Sequence, residues 1–368
     1  MHMQLCSLDL TDYRCYEKAQ LSFPSGITVI SGRNAQGKTN LLESIFLCCT
    51  GKSHRGAKEE EIIRMDARFS FVKAHFTRSS VAHDIAITLR RGGRKRILLD
   101  GTSVRRTADF VGQMQAVLFS PENIMLVKDT PSRRRAYMDV ALSQVYKSYL
   151  RALLDYNRAL LMRNKLLKDG QQDSFFLDML AVYDEQLAVC GAAVMRARRQ
   201  FCTEAAPFAA AIQQRISAGQ DALILRYAPC IACKEGEEKE AILQICKEHR
   251  AADMQRRTTG MGPHRDDMEL CINGMQARLY ASQGQQRTAA LSLKMAELPF
   301  MRAHTGNRPI LLLDDVFGEL DAARRAQLLT AVGDCQTIVT CTNIEALPLD
   351  KRRIDAMYAV ENAVVNRL

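Results

Sequence analysis

The feature that most constrains the fold is a short apolar stretch followed directly by a glycine-bounded loop and an apolar helix. Residues 26–31 read GITVIS, typical of a buried strand, and residues 38–49 read KTNLLESIFLCC, typical of a helix. The loop between them, from Gly32 to Thr39, fits the pattern G-x4-G-K-[ST]. A strand, this loop and a helix in that order form the setting of a phosphate-binding P-loop. We therefore predict an α/β fold with a nucleotide site.

Each residue type in this loop has a chemical reason to be there. Glycines let backbone N–H groups turn toward a phosphate, and the helix N-terminus adds partial positive charge. Lys38 is expected to reach the β and γ phosphates of ATP, and the Thr39 hydroxyl to bind Mg²⁺. The expected nucleotide-binding residues are Gly32, Arg33, Asn34, Ala35, Gln36, Gly37, Lys38, Thr39 and Asn40.

A second motif, ILLL followed by Asp314 and Asp315, lies about 275 residues further on. Four apolar residues predict a buried strand whose end presents both carboxylates. Asp314 is expected to hold the metal through water, with Thr39, and Asp315 to orient or deprotonate the attacking water. Lys38 and Asp315 are thus the candidate catalytic residues.

Length and charge limit the setting of this site. A chain of 368 residues suggests two lobes, and a net charge of +10 suits a polyanion such as nucleic acid, or an acidic membrane face. Solvated basic faces would give the same excess. We see neither an apolar run long enough to span a membrane nor a secretory signal, so we expect a cytoplasmic protein.

The pattern changes near Pro131, where helical spacing replaces strand alternation. We predict a helical arm at 131–218, between two parts of an ATPase head at 1–130 and 219–368. A break at 168–173 predicts two long antiparallel helices in this arm. After it, MELCI and MQARLY flank Asn273-Gly274 and predict a hairpin.

Two groups of arginines in the arm are candidate DNA contacts: Arg133, Arg134 and Arg135, and Arg196, Arg198 and Arg199. The first group follows Pro131 at a helix start, where positive charge opposes the helix dipole. Either a neighbouring acid or a DNA phosphate should offset that cost. The second group lies within a helix and is equally compatible with a solvated face.

The twelve cysteines read as reduced, small apolar residues. Cys230, Cys233, Cys246 and His249 have a spacing that could hold a structural zinc. The same segment also reads as an ordinary helix with Ile242, Ile245 and Cys246 on one face, and we favour that interpretation.

A polar segment that opens the helix before the Asp314 strand reads ASQGQQR, residues 281–287. By itself it would be a loop with a helix cap. In order with the other two motifs, it resembles the signature motif of ABC-type ATPases, and residues 318–321 resemble their D-loop. This resemblance implies that Ser282, Gln283, Gly284, Gln285 and Asp321 contact a nucleotide held by the P-loop of a second subunit.

Finer motifs narrow the resemblance. The run VLFSPENIMLVKDTPSRRRAYMD at 117–139, GPHRDD at 262–267, SQGQQRTAALSLKMAE at 282–297 and the pair Tyr13-Arg14 resemble segments of the RecF family. Together they cover residues 1 to about 345. The resemblance implies an α/β fold of the ABC/SMC-type ATPase head class with a helical insertion lobe.

The resemblance also implies a function: an ATP- and Mg²⁺-dependent DNA-binding protein of recombinational repair and replication restart. Members of the family bind gapped DNA or junctions between single and double strands, form ATP-dependent homodimers, and act with RecO and RecR to load RecA. This chain departs from the pattern at Gly318, Thr342 and Asp315, where ABC-type ATPases usually have Ser, His and Glu, and it has no clear Q-loop glutamine. These departures favour a slow, switch-like ATPase, and we expect its weak hydrolysis to be stimulated by DNA.

Two other classes stay open from the residues alone. The ATP-binding subunit of a membrane transporter would need a Q-loop glutamine and a switch histidine, neither of which we find. A P-loop kinase for small molecules would not need a signature motif and would use the 132–218 helices as a substrate lid.

Overall fold

The computed structural model describes residues 3–170, 174–332, 335–345, 347–349 and 351–368. Its strands, in chain order, are β1 (Met3–Tyr13), β2 (Tyr16–Ser22), β3 (Ile27–Ser31), β4 (Phe69–Arg78), β5 (Val81–Arg90), β6 (Arg96–Leu99), β7 (Thr102–Ser103), β8 (Ala116–Phe119), β9 (Leu223–Ala228), β10 (Asp267–Ile272), β11 (Met275–Gln276), β12 (Ile310–Asp314), β13 (Thr337–Cys341), β14 (Ile354–Glu361) and β15 (Val364–Arg367). Its α-helices are α1 (Lys38–Thr50), α2 (Glu59–Ile62), α3 (Met125–Lys128), α4 (Pro131–Val145), α5 (Lys147–Asp169), α6 (Ser174–Ile216), α7 (Glu238–Glu248), α8 (Arg250–Arg256), α9 (Ala277–Tyr280), α10 (Gln283–Thr305) and α11 (Ala322–Val332).

The chain divides into two compact units. The first comprises Met1–Ile124, Arg215–Gly219 and Ala290–Leu368, and the second Met125–Gln214 and Gln220–Ala289. The second unit begins at Met125, a few residues before Pro131, where we expected the helical arm to begin. Residues 220–289, which we expected in the head, belong to the second unit together with the arm.

The first unit is built on a mostly parallel sheet of strand order β15-β14-β3-β13-β12-β8. The strand that precedes the P-loop, β3, lies between β13 and β14 and pairs with both in parallel. All residues of β8, β12 and β13 are buried. Continuous apolar strands are what a parallel sheet covered on both faces requires.

A second sheet of the first unit has the order β2-β1-β4-β5-β6-β7 and is antiparallel throughout. The helix α1 contacts strands of both sheets. Burial consequently extends all round it, and the residues from Leu41 to Cys49 are all buried. Because such a helix has no face toward solvent, each of its polar side chains needs a hydrogen-bond partner within the protein.

Glu43 is the charged group that this burial makes costly. Its carboxylate is fully buried and accepts hydrogen bonds from Arg14 Nε at 2.8 Å and Arg14 Nη2 at 2.7 Å, which form a bidentate ion pair. Ser53 and Tyr13 donate to the same carboxylate. Burial alone would raise the pKa of Glu43, but the hydrogen bonds from Arg14 and Ser53 outweigh it and hold the pKa below its usual range. The Tyr13-Arg14 pair thus anchors α1.

The second unit contains the helices α4 to α6 and a three-stranded sheet of order β11-β10-β9. Helix α5 packs on α6 through Tyr156, Ala159 and Leu187. Arg163, also inside this unit, donates to Asp184 at 2.7 Å and to Asp253 at 2.8 Å. The side chain of Arg163 is fully buried, so these two carboxylates offset the cost of its burial.

The predicted elements agree with this layout except in two places. The Asn273-Gly274 hairpin forms between β10 and β11, with φ of 51° and 79° at the turn. The strand expected after that turn ends at Gln276, because residues 277–280 form the short helix α9. The arm contains a further helix, α4, and part of its expected break, residues 171–173, lies outside the described residues. No helix in the described parts of the chain is long and apolar enough to cross a membrane.

We predict that Arg14→Gln lowers the free energy of unfolding by about 3 kcal/mol at neutral pH, because it leaves a buried carboxylate without its cation. A depressed pKa in the native state contributes stability above the unfolded pKa, and that stability is lost as the pH falls through the native pKa. The difference between wild type and variant should therefore narrow as the pH falls below about 4, the ordinary pKa of a glutamate. Urea unfolding at several pH values measures it. If the difference in free energy of unfolding did not change with pH, loss of the ion pair between Arg14 and Glu43 would not be its cause.

Candidate functional site

The P-loop joins β3 to α1, and its last glycine is fixed by geometry. Gly37 has a φ of 111°, a conformation that L side chains rarely adopt. A Cβ atom at this position would lie 2.7 Å from both the Tyr16 hydroxyl oxygen and Cys15 Sγ. The backbone enters α1 through a gap that no side chain could share, and the sequence pattern has glycine at this point for that reason.

Lys38 lies at the first position of α1, and its side chain turns back into the loop. The Lys38 Nζ atom donates to the carbonyl oxygens of Gly32 at 2.6 Å and Arg33 at 2.9 Å. The residue is buried, so its ammonium is held against the loop. An anion in the loop would meet this ammonium and the positive end of the helix dipole together.

The loop also contacts the hairpin of β14 and β15. The backbone N–H of Asn362, in the hairpin turn, donates to Gln36 Oε1 at 2.5 Å. A Cβ atom on Gly32 would lie 2.4 Å from the carbonyl oxygen of Val360. Both ends of the loop are thus packed against residues that lie more than 300 positions away.

Asp314 ends β12 beside the start of α1. Its Oδ1 atom accepts a hydrogen bond from the Thr39 hydroxyl at 2.9 Å and another from the Thr340 hydroxyl at 2.8 Å. Burial raises the pKa of Asp314, and the two hydroxyl donors oppose that rise without cancelling it. The predicted pair Thr39 and Asp314 is brought together, and Thr340 of β13 is a third member that we did not predict.

Asp315, the next residue, has a φ of 50° and marks the point where the chain turns out of the sheet. Its backbone N–H donates to the Thr340 hydroxyl at 3.0 Å. Burial and the negative charge of Asp315 raise the pKa of Cys341 to about 11, while Lys38 acts in the opposite direction. Asp315, Lys38 and the end of β13 are therefore electrostatic neighbours. A left-handed conformation at a non-glycine residue costs about 1–3 kcal/mol and is common where a side chain has a function.

The oxygen atoms of Thr39 and Asp314 suit a hard divalent cation. Mg²⁺ is usually bound by one or two carboxylates together with substrate phosphates and waters. Among the described residues, no three His, Cys, Asp or Glu side chains are grouped as a protein-only metal site would require. This holds for the zinc candidates Cys230, Cys233, Cys246 and His249, of which Cys246 packs in an apolar cluster with Ile242.

The signature-like segment lies in the second unit, at the start of α10. The Gln285 N–H donates to the Ser282 hydroxyl at 3.2 Å, and the Ser282 N–H donates to Gln285 Oε1 at 2.9 Å. This reciprocal arrangement is a capping box. Gln285 also donates to Asp221 at 2.8 Å. Ser282, Gln283 and Gly284 remain exposed at the helix N-terminus.

Asp321 belongs to the first unit and caps α11. Its carboxylate accepts the backbone N–H of Arg324 at 2.9 Å and forms an ion pair with the same residue's side chain. The carboxylate is 56% exposed, so it can still be reached by other groups.

The arginine clusters are largely committed to ion pairs within the second unit. Arg134 and Arg198 have side chains only 6% and 3% exposed. Arg134 forms a bidentate pair with Asp267 at 2.7 and 2.9 Å, and Arg198 pairs with Asp139 at 2.8 Å. Our expectation that these two contact DNA is therefore corrected: burial and their acidic partners give them a structural role.

The other four candidate arginines also have partners within the second unit. Arg135 donates to the Asp266 carbonyl oxygen at 2.6 Å and is half-buried. Arg196 and Arg199 share the buried carboxylate of Glu238. Arg133 is exposed and pairs with Asp129. Neighbouring acids, the first of the two alternatives, offset the charge at the start of α4.

The GPHRDD segment is the centre of this network. The Asp266 carboxylate accepts hydrogen bonds from the Tyr227 hydroxyl and from the Cys230 N–H. Arg198 donates to the Pro263 carbonyl oxygen at 2.7 Å. His264 Nδ1 and the Tyr156 hydroxyl are 2.7 Å apart, and burial lowers the pKa of His264 to about 4. The motif therefore joins α4, α5, α6 and β9.

Comparison with known proteins finds relatives that match this chain over nearly its whole length. The model of the family described as RecF/RecN/SMC N terminal domain matches residues 4–366. A DNA replication and repair protein RecF from Lachnoclostridium phytofermentans is 39% identical over 361 residues, which are 98% of this chain and 99% of that protein.

Two solved structures place the fold. The recombination mediator protein RecF with ATP, from the RecFOR pathway, has a TM-score of 0.91 and 33% identity, and the match covers 100% of this chain and 98% of that one. An Smc head domain from Pyrococcus furiosus has a TM-score of 0.56 at 14% identity, with 100% of this chain and 96% of that one covered. The expected fold class, an ABC/SMC-type ATPase head, is confirmed.

We predict that Arg134→Gln and Arg133→Gln, adjacent residues with the same substitution, differ sharply in effect. Arg134→Gln should lower the free energy of unfolding by about 3 kcal/mol, since it breaks a buried ion pair. Arg133→Gln should leave unfolding unchanged within error, because it removes an exposed pair. Urea unfolding monitored by circular dichroism gives both values. Equal effects would contradict the structural role of Arg134.

Proposed function

Because the chain belongs to the RecF family, we propose that it is an ATP-dependent DNA-binding protein that acts in recombinational repair and replication restart. The observation that carries the proposal is the junction of three separate segments at one carboxylate. Thr39 of the P-loop and Thr340 of β13 both donate to Asp314 at the end of β12. This arrangement supports the binding of a nucleoside triphosphate with its metal ion.

The roles of the residues follow from their positions. The Lys38 ammonium would exchange the loop carbonyls for β and γ phosphate oxygens, and Thr39 and Asp314 would hold Mg²⁺, whose charge would also neutralise the buried carboxylate. When bound, Mg²⁺ supplies charge neutralisation at the phosphates. Asp315, turned out of the sheet, would orient the attacking water. The side chain of Asp315 is one methylene shorter than the usual glutamate, so ATP hydrolysis would be weak. Stimulated by DNA, this hydrolysis would serve as a switch.

We further propose that ATP drives a homodimer. The chain has one P-loop and one signature-like segment, and Ser282 to Gly284 are exposed at a helix N-terminus, suited to a γ phosphate. A twofold axis would bring the signature of each protomer to the P-loop of its partner. ADP lacks the phosphate that this segment would contact, so nucleotide state would control assembly.

The biological setting is proposed from the relatives. A RecF of the RecFOR pathway is a structural neighbour of this chain, with a TM-score of 0.91. We propose that this protein binds single-strand gaps or junctions of single- and double-stranded DNA in the cytoplasm, and assists RecA loading with RecO and RecR.

We predict that Asp315→Asn accumulates as a dimer in ATP and Mg²⁺, because the site would close and not turn over. Asp314→Asn should weaken Mg²⁺-dependent nucleotide binding, and Ser282→Arg should keep nucleotide binding but stay monomeric. Size-exclusion chromatography with light scattering, with and without ATP, separates the three outcomes. If Asp315→Asn stays monomeric where wild type dimerises, the assignment of the water-orienting carboxylate is wrong.

We predict that wild type with ATP binds a gapped duplex at least tenfold more tightly than a blunt duplex of equal length, a difference of about 1.4 kcal/mol. Lys38→Ala should lose this preference, because it lacks the cation aimed at the phosphates. Lys38→Arg should bind ATP more weakly than wild type but should still prefer gapped DNA when ATP is present. Fluorescence anisotropy at fixed salt measures the affinities. Equal binding of both DNAs would remove gap recognition from the proposal, and no ATP response would remove the switch.

A further inference from the structure

The outer face of α5 presents a row of cations that the nucleotide site does not use. The row contains seven exposed positions spaced alternately four and three residues apart: Lys147, Arg151, Leu154, Arg158, Leu161, Lys165 and Lys168. Residues with this spacing lie on one face of a helix. Five of the seven are cationic and none is acidic.

The inner face of the same helix shows the opposite pattern. Tyr156, Ala159 and Leu167 are buried there, and the inward cation, Arg163, is neutralised by Asp184 and Asp253. The exposed acids of α5, Asp155 and Asp169, border the outer row and leave it with a positive excess. The helix thus buries Arg163 with its two carboxylates, and it exposes the five cations of the outer row.

The length of the row identifies a matching ligand. The row runs over 22 residues of α5, from Lys147 to Lys168, and its ends are about 32 Å apart. One turn of B-form DNA is about 34 Å long and carries one negative charge per roughly 1.7 Å of axis. A row of cations of this length therefore spans about one helical turn, within which phosphates of both strands come into its reach.

The apolar content of the row argues against a membrane as the ligand. Helices that lie in a membrane interface bury a broad apolar face. Here Arg158 separates Leu154 from Leu161 and from the neighbouring exposed Met162, so the outer face has no continuous apolar strip. Long aliphatic stems of Lys and Arg can pack over isolated leucines while their charges reach phosphates.

We propose that the outer face of α5 binds the phosphate backbone of duplex DNA, in place of the arginines that the structure commits to internal ion pairs. This inference rests on the proposed DNA-binding function and assigns it to a surface. Its contacts are electrostatic and independent of base sequence.

The test is the salt dependence of duplex binding by the full chain with ATP. The slope of log affinity against log salt is negative, and each phosphate contact contributes about 0.9 to its magnitude. Arg158→Gln combined with Lys165→Gln should therefore reduce the magnitude of this slope by about two. Arg158→Lys with Lys165→Arg keeps the charges and should retain the wild-type slope. Lys234→Gln with Lys247→Gln removes two exposed cations from the same unit, next to Glu235 and Glu248, and should also retain it. Circular dichroism and thermal melting establish that each variant is folded.

The outcomes separate the inference from the function on which it rests. If wild type with ATP binds neither the gapped nor the blunt duplex at any salt concentration, the proposed function fails. The assignment of DNA binding to α5 is wrong if wild type binds duplex and the Gln pair on α5 keeps the wild-type salt slope. It is also wrong if the Lys234 and Lys247 control reduces the salt slope as much as the Gln pair on α5 does. Sedimentation with phosphatidylserine vesicles is the second arm. Vesicle binding that depends on Arg158 and Lys165, with an unchanged DNA slope, would replace the DNA surface by a membrane surface.

Discussion

The burial of α1 from Leu41 to Cys49 is the constraint on which the first unit depends. A helix covered by one sheet on each side cannot shift or rotate without disturbing both, so the loop at its N-terminus inherits a fixed position. The ion pair between Arg14 and Glu43 makes this burial tolerable, because a lone carboxylate there would be strongly unfavourable. The phosphate loop is therefore held by packing far from the loop itself.

The second unit is held together differently. Its centre is a network of buried charges around GPHRDD, with Arg134 on Asp267 and Arg198 on Asp139 and Asp266. Such pairs contribute little net stability over apolar residues, but breaking one leaves a buried charge. A network of this kind fixes one arrangement of helices and strands and penalises others.

The sequence predicted what depends on local pattern, and missed what depends on distant pairing. The P-loop, the β12 strand and Asp314 were predictable because glycine, apolar runs and terminal carboxylates follow one another along the chain. Thr340 was missed because a threonine in TIVTC looks like any strand residue until β13 is known to lie beside β12. Arg134 and Asp267 are 133 residues apart, so no local pattern distinguishes that arginine from a solvated one. The cations of α5 were missed because their exposure follows from which face α6 covers.

The position of β3 has a consequence for biosynthesis. Its two neighbours, β13 and β14, begin at Thr337 and Ile354, while β3 itself ends at Ser31. At ribosomal rates of about 5–20 residues per second, β3 waits roughly 15–60 seconds for its first partner strand. During that time the apolar residues of β3 and α1 have no completed sheet to enter, and such contacts between distant residues form slowly. The nascent chain should therefore need chaperone protection until its last strands emerge, although the finished protein buries the same residues completely.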